Sequence, residues 1–185
     1  LWGQIKRMLV RVPEADTESD PTSARAFDNR GLVRKAKGDL QGAIQDFNKA
    51  IELDPKLTMA YNNRGIARQA KGDLQGAIQD FNKAIELDPR HVQAYYNRGI
   101  IRSNKRDFSG AIEDYNKAIE LASSRVFRSQ IYTNRGIARS NKGDLAGAIE
   151  DYNKAIELNP RYAEVYNSRG FTRKVKGDLA GAIED

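Results

Sequence analysis

Five arginines, Arg30, Arg64, Arg98, Arg135 and Arg169, each stand directly before a glycine, and an aspartate follows each of them at the same distance: Asp46, Asp80, Asp114, Asp151 and Asp185. A guanidinium fork matches a carboxylate in two parallel hydrogen bonds, so such a row predicts an ion pair that ties two neighbouring elements together. A row of arginines held open for a ligand is the competing reading. A second set, Arg34, Arg68, Arg102, Arg139 and Arg173, lies one helical turn later, followed by Lys37, Lys71, Lys105, Lys142 and Lys176. Cations there suit the negative end of a helix, or form a basic ridge for phosphate or acidic lipid. Groups suited to catalysis are scarce. His91 is the sole imidazole and follows Pro89 at a turn, where a surface or groove histidine is expected rather than a general base. There is no Cys, no HExxH, no phosphate-binding loop and no nucleophile elbow. No cofactor and no metal site is expected, and the chain reads as a non-enzyme.

The elements that carry these rows repeat. The glycine after each arginine falls at Gly31, Gly65, Gly99, Gly136 and Gly170, in steps of 34, 34, 37 and 34, and Ala43, Ala77, Ala111, Ala148 and Ala182 keep the same phase. In the second copy, Ala60, Tyr61, Gly65 and Ala67 recur at helical spacing up to Gly72-Asp73, a helix stop followed by an N-cap. Leu74, Ala77, Ile78, Phe81, Ala84, Ile85 and Leu87 then step by threes and fours until Asp88-Pro89. Each copy is therefore an antiparallel helix pair. One pair cannot bury that apolar surface alone, so successive pairs must stack into an all-α solenoid. The net charge of +6 is modest and the charges alternate in sign, which favours a solvated surface over a nucleic-acid footprint. No apolar run approaches the ~20 residues of a membrane span.

Tyr61, Gly65, Ala77, Phe81, Ala84 and Pro89, matched in the next copy by Tyr95, Gly99, Ala111, Tyr115 and Ala118, resemble the signature of the tetratricopeptide repeat family. The resemblance covers roughly residues 24 to 185. It implies a right-handed superhelix whose first helices line a concave groove that binds a peptide of a partner protein. The spacing divides the chain into copies at 24–57, 58–91, 92–128, 129–162 and a partial 163–185. The third copy lacks the closing proline and gains three residues in "ASSRVFRS", 122 to 129, which predicts extra helix or an enlarged turn with Val126 or Phe127 packed inward. The last copy stops inside its second helix, without the polar capping helix usual in the family, so the array is expected to be a piece of a longer one or to end in disorder.

Positions that vary between copies mark the expected groove. They are Arg25, Met59, Gln93, Gln130 and Glu164; Asp28, Asn62, Tyr96, Thr133 and Asn167; and Lys35, Gln69, Ser103, Ser140 and Lys174, all on one face of the first helix. Between them runs a constant asparagine, Asn29, Asn63, Asn97 and Asn134, replaced by Ser168 in the last copy. A carboxamide offers donor and acceptor, so this row suits the main chain of an extended peptide, as asparagine rows do in peptide-binding members of the family. A helix-to-helix hydrogen bond inside the solenoid is the alternative. Selectivity would then come from Met59, Asn62, Gln93, Tyr96, Gln130 and Thr133. The family's carboxylate clamp for chaperone tails needs Lys and Asn where this chain has Asp28 or Asn62 and Leu32, Ile66, Ile100, Ile137 or Phe171; the clamp is absent, and an apolar floor including Ile100 and Ile137 is expected.

Residues 1 to 12, "LWGQIKRMLVRV", stand outside the repeat, with Leu1, Trp2, Ile5, Met8, Leu9 and Val12 on one helical face and Lys6, Arg7 and Arg11 opposite. An acidic, flexible linker follows up to residue 23. The segment reads as a cap on the first copy, as a helix that binds a groove or membrane surface, or as the remnant of an upstream domain. A chain starting with Leu implies processing or trimming. The expected function is a non-catalytic scaffold for a protein or peptide partner, with no small-molecule substrate. The alternatives are a regulatory or targeting part of a larger enzyme and, third, binding of RNA or an acidic surface through the basic ridge. Copies could also associate through uncapped ends or the N-terminal segment. The sequence does not fix the compartment, although a cytoplasmic one is favoured.

Overall fold

The structure, a computed structural model, describes residues 22–185. The helices are α1 (Ala24–Ala36), α2 (Leu40–Leu53), α3 (Thr58–Ala70), α4 (Leu74–Leu87), α5 (Val92–Asn104), α6 (Phe108–Leu121), α7 (Arg125–Lys142), α8 (Leu145–Leu158), α9 (Ala163–Lys176) and α10 (Leu179–Glu184). The expected all-α solenoid is what forms. Each odd-numbered helix pairs with the even-numbered one that follows, and each even-numbered helix also packs on the first helix of the next pair. First helices touch the first helices of adjacent pairs, whereas α2, α4, α6 and α8 do not touch one another. The stack therefore bends with the first helices on its inner side.

Local chemistry sets each pair. Asp39, Asp73, Asp107, Asp144 and Asp178 are the N-caps of the second helices, and their side chains accept from the N–H groups of Gly42, Gly76, Gly110, Gly147 and Gly181 at 2.8–3.0 Å. A Cβ on Gly76 would lie 2.2 Å from Asp73 Oδ2, so the cap itself requires glycine there. The turn before the cap uses the left-handed region, with φ of 86° at Gly72 and 96° at Gly143. The third pair places Arg106 in the same conformation, at φ 65°.

The core is a chain of linked clusters. Phe47, Phe81, Tyr115 and Tyr152 of the second helices are buried against alanines and against the first helices on both sides. Gly65 permits the close helix approach, because a Cβ there would meet Phe81 Cε1 at 2.7 Å.

The extra residues of the third copy become helix, but not in α6, which ends at Leu121 with the same 14 residues as α4. They lengthen the next first helix: α7 has 18 residues against 13 in α5, starts at the N-cap Ser124, and runs across residue 128, where the spacing had put the copy boundary. Phe127 turns inward and meets the Tyr96 ring edge-on at 5.0 Å between centroids, while Val126 stays exposed. The N-terminal segment 1 to 12 and most of its linker lie outside the described residues.

Candidate functional site: the first-helix face

The arginine rows belong to the scaffold. Arg64 Nε and Nη2 donate to Asp80 at 3.0 and 2.6 Å, and Arg98–Asp114 and Arg135–Asp151 repeat the pair. The remaining Nη1 reaches the preceding pair: Arg64 donates to Asn48 (2.8 Å), Arg98 to Asn82 (2.6 Å), Arg135 to Asn116 (2.6 Å) and Arg169 to Asn153 (2.6 Å). Each guanidinium also lies over the aromatic ring three residues earlier, Arg64 over Tyr61 at 5.5 Å for example. The second row converges on the same carboxylates, with Arg68 Nη1 2.9 Å from Asp80 and Arg102 Nη1 2.9 Å from Asp114. Each buried aspartate thus accepts from two arginines of the first helix. The arginines of the basic ridge that the sequence left open are engaged in this framework, while Lys37, Lys71, Lys105, Lys142 and Lys176 remain exposed. The asparagines at 48, 82, 116 and 153 were legible as a constant position, yet sequence reasoning assigned them no role.

The constant asparagines of the first helices are not free rungs. Asn63 Nδ2 donates to both carboxylate oxygens of Asp28, at 3.0 and 3.2 Å, Asn97 Nδ2 to Asn62 Oδ1 at 3.4 Å, and Asn134 Nδ2 to the Tyr96 hydroxyl at 2.8 Å. These are the helix-to-helix bonds that the sequence allowed as the alternative. Each runs from the constant residue of one copy to the varied residue of the copy before. Asn29 has no preceding copy among the described residues and is exposed. Burial pushes the Asp28 carboxyl above its ordinary range, against the hydrogen bond from Asn63 and the nearby charge of Lys35. Burial likewise raises the Tyr96 phenol, opposed by the bond from Asn134.

Two residues expected to select a partner are buried in this geometry. Asn62 is 3% exposed because its oxygen is taken by Asn97, and Thr133 is 2% exposed with its hydroxyl closed onto the carbonyl oxygen of Ser129 at 2.8 Å. Tyr96, Asn97 and Asn134 are half-buried and already bonded, while Met59 and Gln93 in the first turns of α3 and α5 and Gln130 in the second turn of α7 stand exposed.

Ile66, Ile100 and Ile137 are half-buried, and Phe171, which occupies the same place in the last copy, is 67% exposed. Between α7 and α9 the surface opens into a cavity of about 360 Å³, lined by Ile137, Ser140, Tyr152, Glu164, Asn167 and Phe171 among others. This cavity brings together several positions that vary between copies. The Tyr152 phenol at its base is pushed up to about 12 by burial. Ser140 and Thr172 hydroxyls, 3.3 Å apart, share a hydrogen bond across the two helices. In α3, α5 and α7 the varied positions carry no charge; charged residues appear at Arg25, Asp28 and Lys35 of α1 and at Glu164 and Lys174 of α9. No cluster of His, Cys, Asp or Glu able to hold a metal occurs among the described residues, and none of their helices is long and apolar enough to cross a membrane.

Comparison with known proteins agrees with this architecture. The family description "TPR repeat" matches residues 31–72 and 136–177, and "Tetratricopeptide repeat" matches 59–91 and 92–124. The chain belongs to the tetratricopeptide repeat family. Among solved structures it is similar to MamA, at 26% identity over 87% of this chain and 86% of that one, with a TM-score of 0.79. It also resembles MamA from Desulfovibrio magneticus RS-1 (23% identity, 87% and 89% covered, TM-score 0.80). YrrB, described as a TPR protein with an unusual peptide-binding site, shares the fold at 22% identity, covering 89% of this chain and 84% of that one, with a TM-score of 0.75. No curated protein matches the chain in sequence.

Proposed function

We propose that this protein is a non-catalytic scaffold that holds a segment of a partner protein, extended or helical, along the inner face formed by α1, α3, α5, α7 and α9. The observation that carries the reading is the uncharged inner face of the central first helices, where half-buried Ile66 and Ile100 lead to the cavity between Ile137 and Phe171. A row of half-buried isoleucines beside an open cavity accepts apolar side chains, and the exposed Met59, Gln93 and Gln130 at its edge supply selectivity. The asparagine row contributes through its carbonyl oxygens, since the amide hydrogens of Asn63, Asn97 and Asn134 are directed at the preceding copy. The fold shared with YrrB supports the same reading.

The test is capture of partner segments by the full chain, mapping of the bound sequence, and comparison with Ile137→Ser/Phe171→Ser. The expected result is at least tenfold weaker binding by the variant, measured well below its own melting temperature because Ile137 also packs on the Ala148–Tyr152 cluster, and little change in affinity between 50 and 500 mM salt. Equal binding by the variant overturns the groove reading. A fall in affinity by orders of magnitude with salt would point instead to RNA or another polyanion.

A further inference from the structure

We propose that residues 1–12 of the chain dock as a helix on the uncovered flank of α1, taking the place that α2 takes against α3. The flank is unlike its counterparts. Val33 is 53% exposed, whereas Ala67, Ile101, Ala138 and Thr172 at the same position are 0–1% exposed, each covered by the second helix of the preceding pair. The side chain of Arg30 is 51% exposed, against 15% for Arg64, Arg98, Arg135 and Arg169, because among the described residues no asparagine reaches it from an earlier pair. An inner repeat face of this solenoid is thus open to solvent at the α1 end of the described array.

The N-terminal segment has the pattern of the missing helix. Set against α2, Leu1, Gly3 and Ile5 repeat Leu40, Gly42 and Ile44, Met8 falls on Phe47, and Val12 falls on Ile51. Phe47 packs with Ala67 and Ile51 against Tyr61 in the folded array. The corresponding contacts are Met8 on Val33 and Val12 on Phe27. Arg7 replaces Asp46, a tolerable change because Asp46 serves the arginines of its own first helix and this segment has none to serve within the described chain. Arg11 takes the place of Ala50 and can extend along the flank with its head in water. Leu9 replaces Asn48, so the contact is an apolar seal and Arg30 gains no new acceptor from it. The connection from Val12 to Ala24 is longer than the one from Ile51 to Thr58, so the chain reaches the flank without strain.

The chain contains no cysteine, so engineered pairs report cleanly. Val33→Cys is combined in turn with Ile5→Cys, Met8→Cys, Leu9→Cys and Val12→Cys in the full chain, and disulfide formation is followed under mild oxidation. The expected result is an intramolecular disulfide that forms at least tenfold faster for Met8→Cys than for Leu9→Cys, because a helix in this register turns position 8 to Val33 and position 9 to Arg30, one turn of α1 earlier. Equal rates at all four positions mean a loose tether and overturn the docking. Disulfides formed only between chains also overturn it, and assign the flank to a second copy. Met8→Asp gives an independent reading: lower melting temperature and increased binding of a hydrophobic dye are expected, and no change in either refutes the proposal.

Discussion

Arg98 donates a 2.6 Å hydrogen bond to Asn82 of the preceding helix pair while its other two donors grip Asp114 of its own pair. One guanidinium therefore sets both the helix register within a pair and the placement of neighbouring pairs. Asp114 is 2% exposed and faces Arg102 as well. Removing one partner from such a buried network leaves uncompensated charge, which costs about 3–5 kcal/mol. Asp114→Ala is expected to lose that much in urea unfolding. Asn82→Ala removes one hydrogen bond at an exposed site and is expected to lose only about 0.5–1.5 kcal/mol. Equal losses for the two variants would show that the inter-pair bond matters as much as the pair itself.

Gly99 stands where a Cβ would lie 2.7 Å from Cε1 of Tyr115, a ring that is 2% exposed and has no room to retreat. Glycine to alanine in a free helix gains up to about 1 kcal/mol. Here overpacking outweighs that gain, and Gly99→Ala is expected to destabilise by about 1–3 kcal/mol. Thermal unfolding checks the sign. A stabilised variant would mean that α5 and α6 are farther apart than this packing requires.

Arg106 occupies the left-handed turn position that glycine fills at 38, 72, 143 and 177. A side chain at positive φ costs about 1 kcal/mol relative to glycine. Arg106→Gly is expected to raise the melting temperature, even though glycine also enlarges the unfolded ensemble. The same substitution made at exposed Lys105, which ends α5 with φ −81°, should not.

His91 caps α5, accepting at Nδ1 from the N–H of Ala94 at 3.3 Å. Burial holds its imidazole below the ordinary 6.5, against the opposing pull of Asp88. The folded protein thus binds the proton less readily than the unfolded chain, so the contribution is complete above pH 6.5 and is lost as the pH falls from there through the lower value of the folded state. Protonation also removes the acceptor and places a cation at a helix N-terminus. His91→Ser keeps a cap without the titration. The melting temperature of the natural chain is expected to fall relative to this variant between pH 7 and 5.5, and parallel pH curves would contradict the assignment.

The sequence by itself determined the helix pairs, their stacking and the pairing of Arg64 with Asp80, because these depend on residues whose spacing is constant in every copy. Glycine, alanine and ring positions leave one way for the helices to approach. It also predicted that the residues added after Ala122 would either extend a helix or enlarge a turn. That they joined α7 rather than α6 was decided by Ser124, which caps α7, and by the seat of Phe127 on Tyr96. The destination of the asparagine amides was likewise not legible. A carboxamide on the inner face has the same pattern whether it meets a peptide or a neighbouring helix. Only the stacking brings Asp28 to within 3.0 Å of Asn63 and Tyr96 to within 2.8 Å of Asn134. Burial of Asn62 and Thr133 follows from the same cause: helix periodicity places a residue on a face, but the separation of adjacent helices decides whether its polar atoms reach solvent.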